Sequence, residues 1–104
     1  MPGIDFPNAE QEVVRVPELS RFFGIVMRMF VEAGASHQQP HVHAYYQDEA
    51  AVFALQTLEC LGGSLPRPQR RLVEAWMEIH REELMRDWDL LQSGQPPVKI
   101  EPLR

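Results

Sequence analysis

One cysteine, Cys60, is too few for a disulfide framework, because a small secreted domain held by bridges carries an even set. Cys60 lies between Glu59 and Leu61 in an apolar stretch with no neighbouring base, and so reads as an inert core thiol rather than a nucleophile. No apolar run approaches the roughly 18 residues of a membrane-spanning helix, and the start, Met1-Pro2-Gly3-Ile4-Asp5, lacks the basic-then-apolar order of a signal peptide. A cytoplasmic protein is the expectation, with no membrane partner. Basic residues are outnumbered, ten against fifteen acidic, and the net charge of −5 disfavours nonspecific binding to nucleic acid. A phosphate-gripping glycine loop, a His-Glu-x-x-His zinc helix and a paired-cysteine metal ribbon are all missing. Gly62-Gly63-Ser64 lacks the Gly-x-Ser-x-Gly order of a nucleophile turn and reads as a strand-to-helix turn. Neither internal repeats nor low-complexity tracts occur.

What is present suits one domain with one core: 104 residues, 44% of them hydrophobic. Residues 1–18, with Pro2, Pro7 and Pro17, read as a loose N-terminal arm in which Val13-Val14-Arg15-Val16 can add an edge strand, and residues 19–104 as a single α+β domain. Phe22 to Val31 is rich in aromatic and β-branched residues with both faces apolar, which predicts a central strand. Glu32 to Gln39 reads as the loop of a long hairpin ending at Pro40. Strands are then expected at His41 to Tyr46, at Ala50 to Leu55 after the polar turn Gln47-Asp48-Glu49, and at Leu58 to Leu61. Their short connections favour an antiparallel meander of about four strands.

After Ser64 the apolar period lengthens to about 3.6, predicting one long C-terminal helix from Pro66 to Ser93, started by prolines and stopped by Gly94 and Pro96-Pro97. Val73, Trp76, Met77, His80, Leu84, Trp88 and Leu91 share one stripe, wide enough to cover a sheet face. Leu72, Ile79 and Leu90 form a flanking ridge, a candidate interface for a protein partner or a second copy. Val98-Lys99-Ile100 alternates and is expected to add a short final edge strand.

Three of the four histidines, His37, His41 and His43, fall within seven residues. In an extended chain His41, His43 and Tyr45 share a face, so two imidazoles can converge on one point, as a His-x-His metal pair requires. His37 or Glu49 would add a ligand for a divalent metal such as zinc, although no cofactor is demanded by the pattern. The first reading is a polar sheet face of structural or general binding character. Metal ligation by His37, His41 and His43 and acid–base catalysis by His41 and His43 stand beside it, since imidazole titrates near neutrality. His80 sits on the apolar stripe and reads as a satisfied core or interface residue. Arg67, Arg70 and Arg71 crowd the start of the helix, the wrong end of the macrodipole for cations. Pairing with neighbours such as Glu74 is their first reading, and holding a phosphate, a carboxylate or an acidic surface is the other. Arg28, the one charge between Phe22 and Val31, needs a partner or water: a structural ion pair is its first reading, and a place on the same face as the histidines, as part of such an anion site, is the other.

The ordered blocks Ser20-Arg21-Phe22-Phe23-Gly24-Ile25-Val26-Met27-Arg28-Met29, Pro40-His41-Val42-His43-Ala44-Tyr45-Tyr46, Ala50-Ala51-Val52-Phe53, Leu72-Val73-Glu74-Ala75-Trp76 with His80-Arg81-Glu82-Glu83-Leu84 and Trp88, and Ile100-Glu101-Pro102-Leu103 resemble the small bacterial domain-of-unknown-function family 4160, over about residues 18–104. Two features depart from it: Gln47 stands where the family commonly has glycine, and residues 1–17 lengthen an N-terminus that is usually very short. The family has no settled activity. Its members are often encoded beside domain family 2442, and the resemblance therefore implies a small protein partner and a toxin–antitoxin-like pair. Three functional expectations follow: an interaction module working with that partner or as a homo-oligomer, a His-dependent hydrolase or ribonuclease, and a nucleic-acid-binding regulator.

Overall fold

The computed structural model describes residues 18–31 and 39–104. The expected edge strand at Val13 to Val16, His37 and most of the hairpin loop lie outside the described residues. Five strands come first: β1 (Glu18–Phe22), β2 (Ile25–Arg28), β3 (His41–Tyr46), β4 (Glu49–Ala54) and β5 (Cys60–Gly63). Two helices follow, α1 (Arg67–Ile79) and α2 (Arg81–Gln92). Each strand pairs with its sequence neighbour, always antiparallel, giving one sheet in the order β1-β2-β3-β4-β5. The α+β meander is therefore present, with five strands rather than four.

The extra strand arises because the apolar run from Phe22 is folded on itself. Phe22 pairs with Ile25 around the two-residue turn Phe23-Gly24, whose φ angles are +49° and +80°. Two consecutive positive φ values are the signature of the type I′ turn, whose twist matches that of paired strands. Phe23 looks like a strand residue by propensity, but here it occupies the left-handed region with its side chain exposed. A second two-residue turn, Gln47-Asp48, joins Tyr46 to Glu49, and Gln47 carries φ +54°. Glu49 thus opens β4 instead of closing the turn. The fourth expected strand is displaced from Leu58–Leu61 to Cys60–Gly63, because Leu58 turns at φ +66° and its N–H donates to Ala54.

Strand alternation then sorts the sheet into two faces. Phe22, Ile25, Met27, Val42, Ala44, Ala51 and Phe53 are buried in the core with Val73, Trp76, Met77, Leu84 and Trp88 of the helices. Phe22 and Trp76 meet with ring centroids 5.4 Å apart. Full burial of each such side chain stabilises by about 1.5–3 kcal/mol, so this helix–sheet layer fixes where the opposite face points.

The expected single helix is interrupted at His80, where φ is −109° and ψ is 30°. His80 still donates its N–H to Trp76 and accepts from Leu84, and the apolar stripe runs on across the break. The imidazole Nδ1 hydrogen-bonds Glu83 and the ring lies 5.5 Å from Trp76, as expected of a satisfied core-edge histidine. At the other end, Gly94 at φ +81° donates to Leu91 while Gln95 donates to Leu90, a Schellman stop that requires the left-handed residue.

Val98 to Ile100 forms no strand. Its backbone is a strap: Val98 N–H donates to Asp87 Oδ1, Ile100 N–H to Leu19 O, and Trp76 Nε1–H to Glu101 O. Among the described residues no helix is long and apolar enough to cross a membrane.

Candidate functional site

Strand β3 carries the histidines on the face opposite Val42 and Ala44. Its extended backbone sets His41, His43 and Tyr45 on one face, as the spacing predicts. The rings form a row. His41 and His43 have centroids 5.2 Å apart, His43 and Tyr45 6.4 Å apart, and Phe30 stacks on His43 at 4.4 Å. His41 closes the row against Trp88 of α2 at 5.1 Å and is only 4% exposed. Its Nδ1 lies 2.9 Å from the carbonyl oxygen of Gln39. A carbonyl only accepts, so Nδ1 carries the proton in this hydrogen bond.

Arg28 is the direct register partner of His43 across β2 and β3, on the same face. Register partners stand about 5 Å apart at Cβ, so Arg28 shares the face of the histidines. Arg28 Nη2 also lies 3.9 Å from Glu18 Oε1, an oxygen shared with Arg21 Nη2 at 2.7 Å. The Arg21 hydrogen bond holds Glu18 below its ordinary carboxylate pKa. Burial opposes this, and the charges of Arg21, Arg28 and Lys99 add to it.

Among the described residues no group of three or more His, Cys, Asp or Glu is placed to hold a metal ion. His37 lies outside them, so the pair His41–His43 is what remains of the expected ligand set. Arg67, Arg70 and Arg71 share a groove of about 550 Å³ with Leu65 and Glu74 at the start of α1. Arg70 Nε meets Glu74 Oε2 at 3.3 Å, the pairing expected on the bland reading. These arginines stand on the helix that covers one face of the sheet, and Arg28 points from the other. The proposed anion residues are thus two separate groups.

The ridge Leu72, Ile79 and Leu90 also divides. Leu72 packs against the core, Leu90 is half-buried, and Ile79 is 65% exposed at the end of α1.

A groove that sequence reasoning missed lies beside α2. It holds about 500 Å³ and is lined by Leu55, Gln56, Arg81, Glu82, Met85, Arg86 and Asp89. Its walls come from two segments about 25 residues apart, the connection after β4 and the outer side of α2. Arg81 joins them: Nη1 donates to the Gln56 carbonyl at 2.6 Å, and Nη2 meets Glu78 Oε1 at 2.9 Å. The available signal was Arg81 itself, at the first position after the helix break.

No curated protein and no solved structure matches the chain. The profile of one protein family matches residues 24–89, a span that runs from the β1–β2 turn through the histidine strand to the last wall residue of the groove. The match takes in well over half of the sequence, and the chain belongs to the family described as Domain of unknown function (DUF4160).

Proposed function

We propose that this chain is a small protein-interaction module, one component of a toxin–antitoxin-like pair in the bacterial cytoplasm, whose partner docks in the groove beside α2. The groove's composition carries the reading: Leu55 and Met85 supply apolar surface, and Gln56, Arg81, Glu82, Arg86 and Asp89 surround it with polar groups. An apolar centre inside a polar rim is the anatomy of a protein interface. A family 2442 domain encoded beside such a protein, or a second copy of the chain, would fill the role. Size-exclusion chromatography with light scattering, on the chain alone and mixed with its genetic neighbour's product, tests this. A strict monomer that ignores the neighbour removes the reading.

One observation favours a second reading, a His-dependent hydrolase or ribonuclease. Arg28 stands opposite His43, and His43 lies beside His41, which places a cation that can hold phosphate next to two imidazoles. Changing His41 and His43 together to alanine abolishes RNA cleavage or growth arrest on this reading, with the fold retained by circular dichroism. Unchanged toxicity eliminates it. The nucleic-acid-binding regulator has no observation of its own in its favour, and the net charge of −5 weighs against it.

A further inference from the structure

The charges around the groove are not equivalent, and the difference describes what fits there. Arg81 is engaged by Glu78 and by the Gln56 carbonyl, and its hydrogen bond lowers the Glu78 pKa. Arg86 Nε meets Asp87 Oδ1 at 3.2 Å, and Asp87 is fully buried. Both guanidinium charges are therefore balanced from within the protein. Glu82 and Asp89 are exposed, and neither meets a cation among the described residues. They stand seven residues apart on α2, two turns and about 10 Å along one side of the helix, with Met85 between them. The uncompensated charge at the groove is two carboxylates flanking an apolar patch.

We infer that the groove receives a basic amphipathic helix: a partner segment with apolar side chains for the Leu55–Met85 surface and a lysine or arginine two turns apart on either side, to meet Glu82 and Asp89. This rests on the interaction reading and names the chemistry of its partner. The overall charge of −5 speeds the approach of such a segment, and a helix laid in a groove reads as anchors at i, i+3, i+4 and i+7.

The test titrates the full chain into three fluorescent helical peptides. One has lysines at i and i+7 around two leucines, one has glutamates at those positions, and one keeps the lysines but replaces the leucines with serine. The lysine–leucine peptide is expected to bind at least tenfold more tightly than either other, and more weakly as salt rises. Glu82→Lys with Asp89→Lys reverses the preference toward the glutamate peptide; both sites are exposed helix positions where this exchange leaves the fold intact. Met85→Glu weakens both leucine peptides. Equal binding of lysine and glutamate peptides, still lost in Met85→Glu, overturns the basic-partner inference and leaves the interaction module standing. Binding to neither peptide, or a preference that survives the double charge reversal, overturns it as well; the light-scattering experiment then judges the module separately.

Discussion

Trp76 Nε1–H donates a 2.8 Å hydrogen bond to the carbonyl of Glu101, 25 positions further along the chain. The strap after α2 is thereby tied to the last turn of α1, and Ile100 beside it is buried and bonded to Leu19 of β1. Ile100 is part of the core, and Leu103 packs against it. Ile100→Ala is expected to cost about 2–4 kcal/mol, the usual price of emptying such a site. Deleting residues 100–104 costs more, because a buried indole N–H loses its acceptor. Urea unfolding followed by Trp fluorescence measures both, and a truncated chain as stable as the full one would show that the strap contributes nothing.

The two short turns carry strain that substitution can remove. Gln47 at φ +54° pays about 1–2 kcal/mol for its left-handed backbone, and glycine gives back about 0.5–1 kcal/mol through its freer unfolded state. Gln47→Gly therefore stabilises by roughly 0.5–1 kcal/mol. Phe23→Asn does the same by a similar amount, since Asn-Gly is a favoured type I′ pair. Gly63 behaves in the opposite way. A Cβ there would lie 2.1 Å from the Ala50 carbonyl oxygen, so Gly63→Ala must break the β4–β5 edge. The denaturation midpoint should rise for the first two variants at unchanged m-value and fall steeply for the third.

These turns also show where the sequence could be read and where it could not. The period of two at His41 to Tyr46 and the 3.6 period of Val73, Trp76, Met77, Leu84 and Trp88 depend on burial, and both appear in the structure as read. The type I′ turn at Phe23-Gly24 was hidden because phenylalanine is a strand-favouring residue with little tendency toward positive φ. The tertiary pairing of Phe22 with Ile25 overrode both tendencies. Arg28 beside His43 was legible once strand parity was known. The groove beside α2 was not, because it is a product of the β4–β5 connection meeting a helix about 25 residues later, and no local pattern records that meeting.

Asp87 is the polar residue that a helical pattern gives no reason to bury. It is fully enclosed, with Oδ1 accepting from Val98 N–H at 2.9 Å and from Arg86, and with Oδ2 lacking a hydrogen-bond partner among the described residues. Asp87→Ala strips the strap of its anchor and is expected to destabilise by about 2 kcal/mol. Asp87→Asn keeps an acceptor for Val98 and should lose less than half as much. Equal losses in the two variants would assign the effect to volume rather than to the hydrogen bond.

Glu18 gives the fold a pH dependence of defined sign. Its folded pKa is held below the ordinary 4.5, chiefly by the Arg21 hydrogen bond. A carboxyl depressed in this way binds fewer protons folded than unfolded across that interval, so its contribution is complete above about pH 4.5 and is lost as the pH falls through the folded value. Glu18→Gln removes the contribution together with the ion pair to Arg21. Urea midpoints of the wild type and Glu18→Gln should therefore differ most near neutrality and converge on acidification below pH 4.5. A gap that stays constant down to about pH 3 would mean that the Glu18 carboxylate adds no stability through its charge.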